Sequence, residues 1–268
     1  MISTYHTVCH KCSEIVTNKY STSFSSAIRL LHKDLRRPIY DIYGFVRFAD
    51  EIVDTFHEHD KEVLLKDFIA ETWKAIEQKI SLNPILHSFQ YTVHKYNIPH
   101  ELISAFLHSM EMDLHKSTYN TASEINEYIY GSAEVVGLMC LSVFCEGNKE
   151  LFEKLKEPAR KLGAAFQKIN FLRDLQADIS GLNRTYFPEM NIDRFDTCTK
   201  QRIEADIEQD FKDSICGIRH LPWKARFGVY TAYRYYFALF NKIKKLQPAR
   251  VMEQRIRVPD YQKAMIVM

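Results

Sequence analysis

Two aspartates, Asp50 and Asp54, lie one helical turn apart at the edge of an apolar pattern in the stretch FVRFADEIVD. On a helix, Tyr43 and Arg47 stand on the same face, because the successive spacings are four, three and four residues. Neighbouring carboxylates repel each other, and Mg²⁺, which prefers oxygen ligands and also binds phosphate oxygens, removes that cost. This first acidic stripe therefore predicts a magnesium and phosphate site. The alternative is a solvated helix edge in which Arg47 pairs with Asp50.

A second acidic stripe of the same form occurs in AFQKINFLRDLQAD, where Asp174 and Asp178 are again four residues apart. Gln167 and Asn170 add two amides to the same predicted helix face, and Arg173 precedes the first acid. If the two helices face each other, four carboxylates meet in one cavity, which requires cations. Mg²⁺ and arginine neutralise phosphates, and the adjoining helix faces are apolar. We therefore predict a ligand with a diphosphate head and an apolar tail.

Helical periodicity runs through the chain of 268 residues, and turn formers are scarce, with 8 Gly and 8 Pro. Hydrophobic residues make up 46%, enough for a large core. We therefore predict one all-α domain over 1–268, with a less ordered tail from about residue 247. The predicted helices are 38–54, 61–80, 85–96, 100–116, 123–144 and 157–178, then two or three more up to about 245. Pro38 and Pro158 are expected in first turns, and 180–188 is expected to be a loop.

Charge and cysteine content exclude several classes of protein. The 36 Lys and Arg nearly balance the 34 Asp and Glu, so no nucleic acid is expected as a partner. The longest uncharged apolar run, VVGLMCLSVFC, is too short to span a bilayer, and the N-terminal MISTYHTVCHKC lacks the apolar region of a leader. The six cysteines contain a single CxxC, which predicts reduced thiols and no zinc site. We expect a cytoplasmic protein.

Five segments, in the order found along the chain, resemble the squalene/phytoene synthase family. They are YSTSF (20–24), RFADEIVD (47–54), YIYGSAEVVG (128–137), QKINFLRDLQAD (167–178) and RTYFP (184–188). The similarity is nearest to bacterial phytoene synthases. It implies a helical isoprenoid synthase-type fold around a central cavity. It also implies a Mg²⁺-dependent prenyltransferase, with Mn²⁺ as a substitute and without NADPH. Such an enzyme condenses two geranylgeranyl diphosphates head to head, through a cyclopropylcarbinyl diphosphate, to phytoene in carotenoid biosynthesis.

The same resemblance implies a role for each matching residue. It assigns metal binding to Asp50, Asp54, Asn170, Asp174 and Asp178. It assigns contact with the diphosphates to Ser21, Phe24, Tyr43, Arg47, Gln167, Asn170, Arg173, Arg184 and Arg255. It places three tyrosines near the reacting carbons, where their rings can stabilise a carbocation: Tyr128, Tyr186 and Tyr236. The predicted catalytic residues are these tyrosines and the four aspartates.

The resemblance leaves alternatives within and outside this reaction. Farnesyl diphosphate could be the substrate instead, giving dehydrosqualene, or squalene where NADPH is used. A non-catalytic assembly or scaffold protein of the same fold is the alternative of another class, although it would have no use for four buried aspartates. A basic stretch near the C-terminus is interpreted as a solvated face or, alternatively, as a peripheral contact with an anionic membrane. It consists of Lys242, Lys244, Lys245 and Arg250.

Overall fold

The computed structural model describes residues 2–182, 184–188, 195–253 and 255–256, and these residues form an assembly of helices. The helices are α1 (Ile2–Tyr20), α2 (Thr22–Arg29), α3 (Lys33–Asp54), α4 (Lys61–Gln78), α5 (Pro84–Tyr96), α6 (His100–His115), α7 (Ala122–Ile129), α8 (Val135–Phe144), α9 (Lys149–Leu182), α10 (Thr197–His220), α11 (Trp223–Lys244) and α12 (Pro248–Glu253). In the described residues there is no strand, only an isolated parallel bridge between Thr118 and Thr185. The predicted all-α class is confirmed.

Several helices begin where the sequence supplies a cap. The side chain of Asp60 accepts a backbone N–H at the start of α4, and that of Asn83 does so for α5, with Pro84 as the first helical residue. Thr121 and Glu124 form a reciprocal capping box ahead of α7. These bonds satisfy N–H groups that a helix start leaves without partners. For this reason α4 and α5 begin within a residue of the predicted positions.

The two helices that carry the acidic stripes are longer than predicted. Both α3 and α9 begin well before their prolines, so Pro38 and Pro158 lie inside helices rather than in first turns. A proline inside a helix removes a backbone hydrogen bond and costs on the order of 3 kcal/mol, which packing must offset. Pro158 packs closely against α10, because a Cβ added at Gly217 of that helix would lie 2.3 Å from the Cβ of Pro158. At its other end α9 continues to Leu182, into the stretch predicted as a loop.

The single helix predicted over 123–144 is interrupted by a π-helical segment, Tyr130–Glu134, between α7 and α8. This segment approaches α6 closely, because a Cβ added at Gly131 would lie 2.7 Å from the Ala105 carbonyl oxygen. Among the described residues, the combined stretch Ala122–Phe144 is long and apolar enough to cross a membrane by those two criteria alone. It is longer than the apolar run considered above, and 56% of its most apolar part is buried inside the protein. Its apolar character therefore has an explanation in the core.

A cluster of stacked phenylalanines fixes the orientation of α3. Phe45 is fully buried and stacks on Phe89 of α5 with ring centroids 3.8 Å apart. Phe68 of α4 and Phe106 of α6 meet the same ring at 5.7 and 5.4 Å. Each such ring stabilises the fold by about 2–3 kcal/mol through burial. With this face of α3 held in the core, the adjoining first acidic stripe is turned toward the centre of the molecule.

A buried polar cluster holds α1 against α3. His10 Nδ1 lies 2.8 Å from Asp41 Oδ2, and the Thr92 hydroxyl of α5 donates to the same oxygen at 2.8 Å. Burial raises the pKa of Asp41, and the hydrogen bond from His10 opposes that rise. Three helices are therefore joined by a carboxylate that is wholly enclosed.

Candidate active site

One cavity of about 570 Å³ lies between α2, α3, α6, α7, α8, α9, α10 and α11. All sixteen predicted site residues line it: Ser21, Phe24, Tyr43, Arg47, Asp50, Asp54, Tyr128, Gln167, Asn170, Arg173, Asp174, Asp178, Arg184, Tyr186, Tyr236 and Arg255. The apolar wall away from these residues includes Leu31, Phe144 and Leu155. The fold therefore brings residues that are far apart in the chain to one polar end of an apolar cavity. The individual role of each remains a prediction.

In the first acidic stripe, Arg47 forms an ion pair with Glu51 of the next turn. It does not pair with Asp50, and within the described part of the chain no ion pair to Asp50 is formed. The Arg47 guanidinium also lies 4.5 Å from the ring centroid of Tyr20. The alternative of an Arg47–Asp50 ion pair is therefore wrong, and Asp50 lines the cavity without an ion-pair partner among these residues.

The predicted N-terminal contact segment covers α3 beside this stripe. Ser21 caps α2, because its Oγ accepts the backbone N–H of Phe24 at 3.1 Å. The Phe24 ring stacks on Tyr43 with centroids 5.0 Å apart. Burial raises the pKa of Tyr43 to about 12, so its hydroxyl stays protonated at neutral pH. Ser21 of this segment and Tyr43 of α3 thus present a capping hydroxyl and a phenol at the cavity wall.

The second acidic stripe carries its own arginines. The Nε of Arg173 donates to both oxygens of Asp174 at 3.1 Å, and the Nε of Arg255 lies 2.7 Å from Asp174 Oδ1. The backbone N–H of Ile256 donates to the Arg173 carbonyl at 3.2 Å. Arg255 lies within the tail predicted to be less ordered, yet these contacts place it on the acidic stripe. Residues 254 and 257–268 of that tail lie outside the described residues.

Arg184 connects the two stripes. Its backbone N–H donates to the Asp178 carbonyl at 3.0 Å, and its Nη1 donates to Asp54 Oδ1 at 3.2 Å. The neighbouring Thr185 N–H donates to the Ser117 carbonyl at 2.9 Å, which fixes this segment against the end of α6. The stripes on α3 and α9 therefore meet at Arg184, whose guanidinium contacts Asp54 of α3 and whose backbone N–H contacts Asp178 of α9.

Asp113 of α6 belongs to this site and was missed by sequence reasoning. Its Oδ2 accepts the Tyr128 hydroxyl at 2.9 Å, its Oδ1 lies 3.5 Å from Arg184 Nη1, and its carbonyl accepts Arg184 Nη2 at 2.7 Å. Burial raises the pKa of Asp113 to about 7, and the charge of Arg184 opposes the rise. A lone acid near the end of a helix has no spacing signal, so local pattern could not identify it.

Aromatic rings form one wall beside Arg184. Phe171 stacks on Tyr186 with centroids 3.9 Å apart, and Tyr128 stacks on Tyr186 at 5.7 Å. Tyr119, also missed by sequence reasoning, lies 4.9 Å from Tyr128. Burial raises the pKa of Tyr128 well above its ordinary value. These phenols therefore stay neutral, and their ring faces offer a site that attracts a cation without forming a bond to it.

The amides of the second stripe form a chain of hydrogen bonds. Tyr236 donates to Asn170 Oδ1, Asn170 Nδ2 donates to Gln167 Oε1, and Gln167 Nε2 donates to Ser132 Oγ, each at 3.3 Å. Phe166 stacks on the Tyr236 ring at 3.9 Å. Asn170 Oδ1, the amide oxygen predicted as a metal ligand, therefore accepts a hydrogen bond from the Tyr236 hydroxyl. A metal ion would have to displace that hydroxyl in order to bind this oxygen.

Two of the four aspartates, Asp50 and Asp178, have raised pKa values. Burial, reinforced by Asp54, raises the pKa of Asp50 to about 7, and burial with Asp174 does the same for Asp178. Among the described residues, no three Asp, Glu, His or Cys side chains lie close enough to hold a metal ion by themselves. Mg²⁺ needs only one or two protein carboxylates when phosphates supply further oxygens. The residues therefore fit Mg²⁺ that is held jointly with a diphosphate.

Comparisons with known proteins agree with this geometry. The model of the squalene/phytoene synthase family matches residues 17–215. The chain is 25% identical over 274 residues to the phytoene synthase of Arthrospira platensis, covering 93% of this chain and 88% of that protein. It is 27% identical over 203 residues to the 4,4'-diapophytoene synthase of Staphylococcus haemolyticus, covering 74% and 67%. A dehydrosqualene synthase solved with a ligand shares the fold, with a TM-score of 0.85, 21% identity and coverage of 98% and 95%.

A helical fold with two facing acidic stripes in one apolar cavity defines a class of isoprenoid synthases. The chain belongs to the squalene/phytoene synthase family. Enzymes of this family are prenyltransferases that condense two prenyl diphosphates head to head, and they depend on a divalent metal.

Proposed function

We propose that the protein condenses two molecules of geranylgeranyl diphosphate to phytoene, with Mg²⁺ and without NADPH, in carotenoid biosynthesis. The observation that carries this proposal is the position of two acidic stripes and several arginines at one end of an apolar cavity. Mn²⁺ is the expected substitute ion. The cation, held by the four aspartates and Asn170, would neutralise the charge that develops on a departing diphosphate.

The reaction takes place in two ionisations. In the first, one substrate loses diphosphate, and the double bond of the other captures its allylic carbon. Loss of a proton then gives prephytoene diphosphate, a cyclopropylcarbinyl diphosphate. In the second, this intermediate loses the remaining diphosphate, rearranges and loses a proton to give phytoene. Each departure leaves a carbocation that water would quench, so a cavity with apolar walls is required.

The arginines act on the diphosphates, and the tyrosines act on the carbocations. Arg47, Arg173 and Arg184 offer guanidinium groups to phosphate oxygens, and such charge-assisted bonds strengthen as the leaving group gains charge. Tyr128 and Tyr186 supply ring faces next to Arg184. Because burial raises the pKa of both phenols, neither becomes a phenolate that could trap the cation.

The length of the cavity supports the longer substrate. Cavity-lining residues continue along α9 from Asp174 to Leu155, and at about 1.5 Å per residue this wall is about 28 Å long. Ala159 contributes a short side chain to this wall, and Ala133 of the π-helical segment contributes another to the cavity. A wall of this length has room for a fully extended geranylgeranyl tail. Farnesyl diphosphate is the second candidate, favoured by the 27% identity to a diapophytoene synthase.

Turnover of the two substrates by the purified protein tests this proposal. With Mg²⁺ and no NADPH, we expect geranylgeranyl diphosphate to give hexane-extractable phytoene, with a kcat/KM at least about tenfold above that for farnesyl diphosphate. Asp174→Asn is the matched control, since it removes one charge at nearly constant volume. Preference for farnesyl diphosphate would replace the proposed substrate and leave the reaction class intact. No turnover of either substrate by folded protein would favour the scaffold alternative.

We further propose that the protein works in the cytoplasm as a peripheral membrane enzyme. The six cysteines are all unpaired, as expected for a reducing compartment. The product is an apolar hydrocarbon that partitions into lipid. Fractionation of cells expressing the tagged protein, with and without a high-salt wash, tests both points.

A further inference from the structure

Helix α11 presents large aromatic side chains to the exterior. Trp223 is 70% exposed, Phe227 54% and Tyr230 39%. With the exposed Arg234 they recur at spacings of four, three and four residues, so all four lie on one face of the helix. The Trp223 ring meets only the edge of His32 among the ring contacts of the described residues, at 5.1 Å. Three adjacent exposed aromatics form an apolar patch of the kind that marks an interaction surface. We call these four residues the α11 stripe.

Positive charge surrounds the α11 stripe. The Arg234 guanidinium lies 5.9 Å from the Tyr230 ring centroid, and the exposed Arg226 and Arg219 lie at the junction of α10 and α11. Arg226 donates to the Leu221 carbonyl at 2.9 Å, which leaves its charge uncompensated by that contact. Among the acids nearby, Glu146 is paired with Lys224 at 2.8 Å, and Asp34 lies 3.3 Å from His32 Nδ1, so the charge of Asp34 offsets one of the three arginines. The surface therefore combines aromatic rings with net positive charge.

The opposite face of α11 lines the active-site cavity. Gly228, Val229 and Ala232 contribute to the cavity wall. On a helix they lie roughly opposite the α11 stripe, and a helix with its side chains is about 10 Å thick. The apolar part of the cavity is therefore separated from the exposed aromatics by the width of one helix.

We propose that the α11 stripe docks on the surface of an anionic lipid bilayer. Trp and Tyr rings favour the headgroup level of a bilayer, and arginines interact with lipid phosphates. This docking deepens the proposed function and rests on it for its purpose, because an apolar product has to pass into lipid. The basic stretch considered from the sequence is a weaker candidate. Lys244 is paired with Glu208 and Arg250 with Glu253, each at 2.9 Å.

Tryptophan fluorescence can report this contact directly. The chain has two tryptophans, and Trp73 is partly buried against the core, where it also meets His100. In a Trp73→Phe variant, all tryptophan emission comes from Trp223. On addition of phosphatidylcholine vesicles containing about 30% phosphatidylglycerol, we expect a blue shift and protection from iodide quenching. Both effects should weaken from about 50 to 200 mM NaCl, as screening predicts.

Vesicle co-sedimentation of matched variants then tests the surface. Trp223→Ser with Phe227→Ser, and separately Arg234→Glu, should each lower the vesicle partition coefficient by about tenfold. Leu82→Ser is the apolar control, since Leu82 is 94% exposed in the loop before α5. Lys244→Gln is the charge control. Both controls should stay within about twofold of the wild type. Circular dichroism melts verify that all variants fold.

The outcomes separate this proposal from the proposed function. Vesicle binding needs no turnover, and turnover can be assayed in detergent. Binding that depends on the α11 stripe supports the proposal even if no synthase activity is found. Absence of binding, binding unchanged by the stripe variants, or binding lost only in Lys244→Gln would overturn it. A concentration-dependent dimer that is abolished by the stripe variants, with no vesicle binding, would assign the stripe to a second copy of the chain instead.

Discussion

Replacing Asp113 by Asn should impair catalysis through Arg184, although Asp113 lies outside both acidic stripes. In the structure the carboxylate accepts the Tyr128 hydroxyl and lies 3.5 Å from Arg184 Nη1, while the same nitrogen donates to Asp54. Asn keeps the volume and an acceptor for Tyr128 but removes the negative charge. Arg184 would then be less firmly held between Asp113 and the first acidic stripe.

The size of the effect follows from the contacts that are lost. Hydrogen bonds and close contacts that involve charged groups contribute about 1.5–3 kcal/mol, which corresponds to about 10- to 160-fold in rate if Arg184 acts on the departing diphosphate. The effect should depend on pH, because burial raises the pKa of Asp113 to about 7. Below that pH the protonated acid resembles Asn, so the defect should be small at pH 6. Above it Asp113 is ionised, and the defect should reach its full size at pH 8.

The same raised pKa has a consequence for folding. A carboxyl whose pKa is higher in the folded than in the unfolded chain contributes stability that is fully present below its unfolded value of 3.8. That contribution is lost as the pH rises through about 7. Asn cannot ionise, so the free energy of unfolding of Asp113→Asn should decline less over this range than that of the wild type.

Steady-state kcat/KM for the preferred substrate, measured from pH 6 to 8 in wild type, Asp113→Asn, Tyr128→Phe and the double variant, would test this reasoning. Chemical denaturation from about pH 4 to pH 8 supplies the folding data. Coupling between the two substitutions should be small, since Asn still accepts the Tyr128 hydroxyl. If Asp113→Asn retains activity within about twofold at pH 8, or if its defect is independent of pH, Arg184 is not positioned by this charge.

Further predictions concern the metal, the core and the cavity. Asp174→Asn should lower kcat/KM by at least about 100-fold and raise the Mg²⁺ concentration for half-maximal activity, both read from a metal titration after EDTA treatment. Asp41→Ala should lower the free energy of unfolding by about 3–5 kcal/mol, because His10 loses its buried partner; a loss under 1 kcal/mol would contradict that interpretation. Gly163→Ala should cost about 1–3 kcal/mol in urea unfolding, since its Cβ would lie 2.9 Å from the Ala133 carbonyl oxygen. Ala159→Phe should narrow the cavity, and the loss in kcat/KM should be about tenfold larger for geranylgeranyl diphosphate than for farnesyl diphosphate. Equal losses for the two substrates would show that this wall does not contact the tail.

The secondary structure and the two acidic stripes were predictable because both depend on local periodicity. A spacing of three or four residues places side chains on one helix face whatever the rest of the chain does. The caps at Asp60 and Asn83 act over two or three residues, which is why α4 and α5 begin where predicted. The resemblance of the five short motifs to a known family also predicted which residues share the cavity, and all sixteen of them line it.

Features that depend on distant contacts were not predictable in this way. Pro38 and Pro158 are placed by local rules in first turns, but packing such as that of Pro158 against α10 outweighs the lost hydrogen bond. Arg47 has two acids within reach on its own helix, and only the folded environment selects Glu51. Asp113 has no spacing signal, since its partners Tyr128 and Arg184 lie 15 and 71 residues away.

Local sequence therefore accounts for which side chains share a helix face, and for a chemistry of acids, arginines and aromatic rings. The convergence of these faces requires the tertiary structure, because Arg184 meets Asp54 across 130 residues of chain. The raised pKa values of Asp50, Asp113 and Asp178 are likewise a result of the tertiary structure. Desolvation is a property of the whole environment of a carboxylate, and no pattern within a few residues of it can measure how much water the fold removes.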